Sequence, residues 1–279
     1  MNPEKHLKEQ LQAIAQNNFS VPPEIESFEL ALNMIDHIGS SDSQLRDDFI
    51  YTAFATWILD NKMFKDEQLK RLLFIALDDK HMFYCIGEKY TNSVFTRSFS
   101  VLLLPLILIA NREKPFLSES DIQHTKEKLL QYLHDEKDLR GYVEEGGWVH
   151  AVAHVADAFD DLAQCQELGV SDLREILKAI SAKICIGDTP YVHEEDERMT
   201  TAVIRIMERD LLAEADIEKW VKDFGVSLQR IKQNAVSYEH FNAKNFLRSL
   251  YFRMYQKNMM EKIRQAINEV LSEISHFKD

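Results

Sequence analysis

Four side chains near the middle of the chain carry the most chemistry: His150, His154, Asp157 and Asp161. At 100° per residue they fall in one narrow stripe of a helix running through 144–165, nearly opposite Trp148, Val152, Val155, Phe159 and Leu162. Two imidazoles one turn apart can share a metal ion, and Asp157 can add a carboxylate oxygen. That set suits zinc or iron, so a divalent metal held by His150, His154 and Asp157 is the one cofactor the residues suggest. The pattern is not a zincin, because Ala151 stands where that motif needs its general-base Glu. No His-Asp dipeptide of the metal phosphohydrolase type occurs either. The plainer alternative is a solvated or hydrogen-bonded His–Asp helix face.

A second polar cluster, Glu195, Asp196, Glu197 and Arg198, opens the helix after Pro190. Carboxylates in a first turn complement the helix dipole, which accounts for most of the cluster without a ligand. Glu195 shares a side with Met199, Ala202 and Ile206, where a carboxylate needs a partner. Arg198 projects elsewhere and could hold an anion. Arg97, beside an apolar run and with Asp47 and Asp48 earlier in the chain, reads as one member of a buried ion pair. Lys244, Arg248, Tyr251 and Tyr255 share a face near the C-terminus, a pattern that could follow phosphates and stack bases, although a solvated face or an acidic partner suits the global charge better.

These residues must be positioned by helices. Only 8 Gly and 6 Pro occur in 279 residues, 45% of the chain is hydrophobic, and apolar positions recur at spacings of three and four, as in Ile25, Phe28, Leu32 and Ile35. No segment alternates cleanly enough for a strand. Ser118 with Asp121 and Ser41 with Gln44 resemble capping boxes, Ser171 can cap the helix after Gly169, and stops fall at Gly39, Pro115, Gly141, Gly187 and Gly225. Helix pairs then begin near Asp42, Asn92, Glu144, His193 and His240, about 50 residues apart, in the range of stacked helical hairpins. The expectation is an all-α fold, an α-α superhelix of antiparallel helix pairs (a HEAT/armadillo-like solenoid) forming a single domain over 1–279.

Charge and targeting narrow the function classes. With 46 acidic against 33 basic residues the net charge is −13, which disfavours a nucleic-acid binder. The basic residues concentrate in 228–264, where eight face two acidic ones, leaving −19 on the remainder. The N-terminus lacks an apolar signal region, and the most apolar segment, 101–110, is interrupted by Pro105 and half as long as a membrane span, so no membrane partner is expected. Three separated cysteines fit a reducing cytoplasm.

Several blocks carry a family resemblance. Leu45-Arg46-Asp47-Asp48, Ser93 to Ser100 around Arg97, Glu136 to Tyr142, Gly147-Trp148-Val149-His150-Ala151-Val152-Ala153-His154 with Asp157, and Glu195-Asp196-Glu197-Arg198 resemble those of domain-of-unknown-function family 2785, a bacterial family. The likeness covers approximately 40–210. It implies that Arg97, Trp148, His150, His154, Asp157, Asp196, Glu197 and Arg198 match characteristic positions, and it implies no activity. The leading functional expectation is a cytoplasmic binding or scaffold protein whose concave polar groove, lined by Trp148, His150, His154, Asp157, Asp161, Glu195 to Arg198 and Arg97, takes a protein, peptide or small polar ligand. The alternative is a metal-dependent hydrolase in which Glu195 or Glu197 activates a water and Arg198 steadies an anion. A helical-repeat nucleic-acid-binding protein or DNA glycosylase, using Trp148, Asp157 and Arg198, is a minor third reading.

Overall fold

A computed structural model describes residues 2–229 and 237–275. Among the described residues the chain is all-α apart from one small hairpin, and it divides into two compact units, 1–165 and 166–279. The first unit contains α1 (Pro3–Gln16), α2 (Ser27–Asp36), α3 (44–60), α4 (Asp66–Ala76), α5 (Ser93–Glu113), α6 (Glu119–Asp135), strands β1 (Tyr142–Val143) and β2 (Gly147–Trp148), and α7 (Ala151–Ala163). The second contains α8 (Val170–Ile184), α9 (Glu195–Glu208), α10 (Glu214–Gln229), α11 (Tyr238–Gln256) and α12 (Glu261–Glu273).

Helix α5 is the axis of the first unit. Its length and composition would let it cross a membrane, but 78% of its most apolar window is buried inside the protein. Pro105 lies inside it and is itself buried. The broadest helix contact of the unit is between α5 and α7, and α7 is rich in small buried residues, Ala151, Ala153, Ala156, Ala158 and Ala163. Helix α3 is unusual in its winding. Gln44–Tyr51 and Thr56–Asp60 form wide π-type turns around a single α turn, Thr52–Ala55, and the first of these turns carries Arg46 into the interior.

Local signals account for several boundaries. Ser118 and Asp121 form the expected reciprocal capping box, with Asp121 N donating to Ser118 Oγ at 3.3 Å and Ser118 N donating to Asp121 Oδ2 at 2.8 Å. At α8 the cap position is Gly169, one turn before the carboxylate that accepts its N–H (Asp172 Oδ2, 2.8 Å), so Ser171 lies inside the helix. Gly225 does not stop α10. It sits within the helix where Val270 and Glu273 of α12 come close, and a Cβ there would lie 3.2 Å from Glu273 Oε2. The expected strandless chain needs one correction, since Tyr142 pairs with Trp148 and Val143 with Gly147 in an antiparallel hairpin. The helix expected from Glu144 consequently starts seven residues later, at Ala151.

A candidate aromatic binding site at the hairpin and the start of α7

Two glycines make the hairpin. Gly146 (φ +112°) and Gly147 (φ +81°) occupy backbone conformations that L side chains rarely adopt. Space forbids a side chain as well, because a Cβ on Gly146 would lie 2.7 Å from Cζ of Phe95. Beneath the turn lies the guanidinium of Arg46, whose side chain is wholly buried. Its Nη1 donates to Ser40 O at 2.7 Å, and its Nη2 to Gly146 O at 2.6 Å, to Asp47 Oδ2 at 2.9 Å and, longer, to Trp148 O at 3.4 Å. The rings of Phe95 and Phe99 lie 4.2 and 4.6 Å from its Cζ, completing a cation–aromatic bed. A buried charge thus fixes the hairpin's carbonyls from below.

After β2 the backbone turns into α7 through His150, which has φ +47° and stands at the cap of the helix. A non-glycine residue in that region costs about 1–2 kcal/mol. Gly141 O helps hold the turn, accepting from Val149 N at 2.7 Å and His150 N at 3.2 Å. The outcome is a ladder of rings. Tyr142 meets Trp148 edge-on at 4.9 Å, Trp148 stacks on His150 at 4.2 Å with 5° between planes, His150 lies 5.5 Å from His154, and His154 meets Phe99 edge-on at 5.0 Å. Its outer end is open, with Tyr142 50% and Trp148 42% exposed, while His150, His154 and Phe99 are buried.

Two residues of the His–Asp stripe are turned towards α5. His154 Nδ1 is 3.1 Å from Ser98 O of α5, and Asp161 accepts from Arg112 of α5, through Oδ1 at 2.5 Å and through its carbonyl at 2.8 Å. Asp157 is half-buried on the same helix. Trp148, expected on the apolar side of a helix opposite the stripe, lies instead in β2 and is half-exposed. Among the described residues no three His, Cys, Asp or Glu side chains are grouped so as to hold a metal ion.

Arg97 is the buried ion-pair member expected of it, but its partner is Glu136 rather than Asp47 or Asp48. The pair is bidentate, with Nε to Oε2 at 2.6 Å and Nη2 to Oε1 at 3.0 Å. Its Nη1 donates to Tyr84 O, Cys85 O and Ser93 Oγ, tying the 84–93 loop to α5. Asp138, also buried, is clasped by Arg140 at 2.8 and 2.6 Å and accepts from Tyr90 N at 2.7 Å. This network holds the loops leading into the hairpin and leaves no donor of Arg97 directed at solvent.

In the second unit Glu195 is buried at the first position of α9 and accepts from His193 N at 2.8 Å, and burial raises its pKa. Asp196 accepts from Ser249 Oγ of α11 at 2.8 Å, and Glu197 O accepts from Arg253 Nη1 at 3.0 Å. These residues fasten α9 to α11, while Arg198 is half-buried. The half-buried thiol of Cys185 is pushed up to about 12 by burial and then by Glu239, so it stays protonated at neutral pH.

The residues that sequence reasoning missed are Arg46 and Tyr142. Each had a signal: the Gly146-Gly147 pair inside 142–148 marks a tight turn between two aromatics, and an Arg-Asp dipeptide in an apolar helix marks a buried charge. Carboxylates occur in the same turn and on the helix that carries Arg46. Glu144 and Glu145 are exposed in the turn, Asp48 is exposed on α3, and Asp47 adjoins Arg46. Desolvation carries Asp47 up to about 6 despite the Arg46 charge beside it. Aromatic faces with carboxylates around them attract cations and repel anions.

A family described as "Protein of unknown function (DUF2785)" matches residues 82–252. That range takes in Arg97, the hairpin, α7 and the start of α9, leaves out the 45–48 block and extends beyond 210 into α11. No curated protein and no solved structure matches the chain.

Proposed function

The chain belongs to the DUF2785 family, and we propose that it is a binding protein whose recognition surface is the half-exposed Tyr142–Trp148 pair, backed by His150 and taking a cationic group such as a lysine or arginine side chain of a partner. The observation that carries the reading is the ring ladder, open at one end and fixed at the other by a buried Arg46 and a two-glycine turn. A rigid aromatic surface loses little entropy on binding, and each cation–ring contact contributes about 0.5–2 kcal/mol depending on how much water leaves. Glu144 and Glu145, exposed in the turn between the two aromatics, supply the matching charge.

Other parts of the reading rest on less. Packing of α5 on α7, α9 on α11 and α10 on α12, two elements apart in the chain, supports a stack of antiparallel hairpins within each unit. The cysteine pattern supports a cytoplasmic setting. The stretch 154–161 is not part of the proposal, since His154 and Asp161 pack against α5.

Fluorescence anisotropy with labelled lysine-rich, arginine-rich and glutamate-rich peptides tests it. The basic peptides should bind at low salt, and Trp148→Ala should weaken them at least about tenfold, the equivalent of about 1.4 kcal/mol, with the helical circular dichroism unchanged. Equal affinity of wild type and Trp148→Ala for the basic peptides removes the hairpin from the recognition surface.

A further inference from the structure

Helix α11 has two differently furnished sides. Its inner side is buried through Ala243, Phe246, Leu247, Leu250 and Met254. The cations on its flank are paired, Arg253 with Glu197 and Thr201, and Lys257 with Glu208 at 2.7 Å. The outer side is the reverse. Helical geometry places Phe241, Arg248, Phe252 and Tyr255 within an arc of about 60° over a length of about 21 Å. Phe241 is 39%, Phe252 60% and Tyr255 61% exposed, and Arg248 is exposed between them. Lys244 stands one turn before Arg248, close enough that the second charge, after burial, lowers the pKa of the first.

Among the described residues neither Lys244 nor Arg248 has a carboxylate within ion-pair distance. Arg264 behaves alike: it donates Nε to Met259 O at 3.0 Å and lies 5.6 Å from the ring of Tyr255. Tyr255 is in turn stacked parallel to Tyr251 at 6.4 Å, so part of the face is held in place before anything binds. In a protein of net charge −13, uncompensated cations set among exposed aromatics have a ready means of neutralisation that the fold does not use.

We propose that the outer face of α11 docks an acidic, apolar segment of a partner protein, with a carboxylate of that segment meeting Arg248 and apolar side chains covering Phe241, Phe252 and Tyr255. Arginine and aromatics at the centre of a patch are the composition of an interface anchor. The position of the charge chooses among occupants. On a membrane-bound helix the apolar residues occupy the middle and cations the edges, whereas Arg248 lies at the middle of this stripe and would be carried into hydrocarbon. A nucleic acid is held by neutralising many phosphates, and two or three cations backed by a strongly acidic protein neutralise few. A second copy packing α11 antiparallel on itself would oppose Arg248 to Arg248, because residue 248 is the midpoint of 241 and 255.

The test pans the full-length protein against a displayed library of random helical fifteen-residue peptides. The expected result is enrichment of sequences with glutamate or aspartate one turn apart and leucine or phenylalanine beside them. Synthetic versions should bind at least tenfold more weakly to Arg248→Glu and to Phe252→Ala, both at exposed positions, and equally well to Trp148→Ala, which separates this face from the hairpin. Enrichment of peptides without acidic residues, or affinity unchanged in Arg248→Glu, overturns the proposal. So does tighter binding of a thymidine oligonucleotide or of phosphatidylserine vesicles that Arg248→Glu abolishes.

Discussion

Replacing Arg46 by Met probes how the site is attached to the fold. Methionine can retain the apolar contact between Phe95 and Phe99 while removing the charge and every donor. Two short bonds to carbonyls, Ser40 O at 2.7 Å and Gly146 O at 2.6 Å, disappear with it. Hydrogen bonds made by a charged group contribute about 1.5–3 kcal/mol each. Against this stands the cost of burying the guanidinium, visible in a pKa that desolvation lowers even with Asp47 alongside. Offsetting part of the gain by that cost leaves an expected loss of about 2–4 kcal/mol, near the lower edge of values for breaking a buried charge pair. Urea unfolding followed by circular dichroism measures the loss, and acrylamide quenching reports the hairpin separately. Trp57 and Trp220 are 0% and 9% exposed, against 42% for Trp148, so quenching is dominated by Trp148 and should rise in the variant. A loss below about 1 kcal/mol together with unchanged quenching would refute the claim that Arg46 anchors the hairpin.

Three further outcomes follow from the same geometry. Gly146→Ala must fit a Cβ 2.7 Å from Phe95 in a backbone of φ +112°, and should lower stability by at least about 2 kcal/mol in thermal unfolding; a neutral result contradicts the turn. Asp47 is raised by desolvation from 3.8 to about 6, so the folded chain holds this proton more tightly than the unfolded one, and stability falls as pH climbs from about 4 to 6. Asp47→Asn should therefore be at least as stable as wild type at pH 7, by up to about 2 kcal/mol once its exposed edge is discounted. That advantage should vanish below pH 4, and a variant less stable at pH 7 reverses the sign. Glu136→Gln leaves Arg97 buried without its carboxylate and should cost about 3–5 kcal/mol in denaturant unfolding, where a loss under 1 kcal/mol would show the pair to be dispensable.

Helix periodicity made the all-α class legible, and starts near Asn92, His193 and His240 fall within two residues of α5, α9 and α11. It failed at Glu144 for a physical reason. Residues 142–150 contain enough apolar positions to continue the pattern of α7 backwards, but Gly146 and Gly147 take positive φ and break it, and a two-residue strand is too short to show alternation. That slip moved Trp148 to the wrong environment. The direction of the His–Asp stripe was unreadable for a different reason: α7 is buried on nearly every side, so its polar face opposes another helix instead of water. Arg97 was recognised as a buried charge from its apolar surroundings, yet Glu136, 39 residues on, could be identified only once the chain was folded.

Indole N–H resonances give the most direct test of the aromatic platform. The chain has three tryptophans; Trp57 Nε1 donates to Phe19 O at 2.7 Å and Trp220 Nε1 to Leu177 O at 2.9 Å, both in buried side chains. In a nitrogen-15 spectrum assigned with Trp148→Phe, titration with an oligolysine peptide should move the Trp148 signal in a saturable way and leave the other two in place. If all three stay fixed at millimolar peptide, or if Trp57 and Trp220 move while Trp148 does not, the hairpin is not a cation-binding surface.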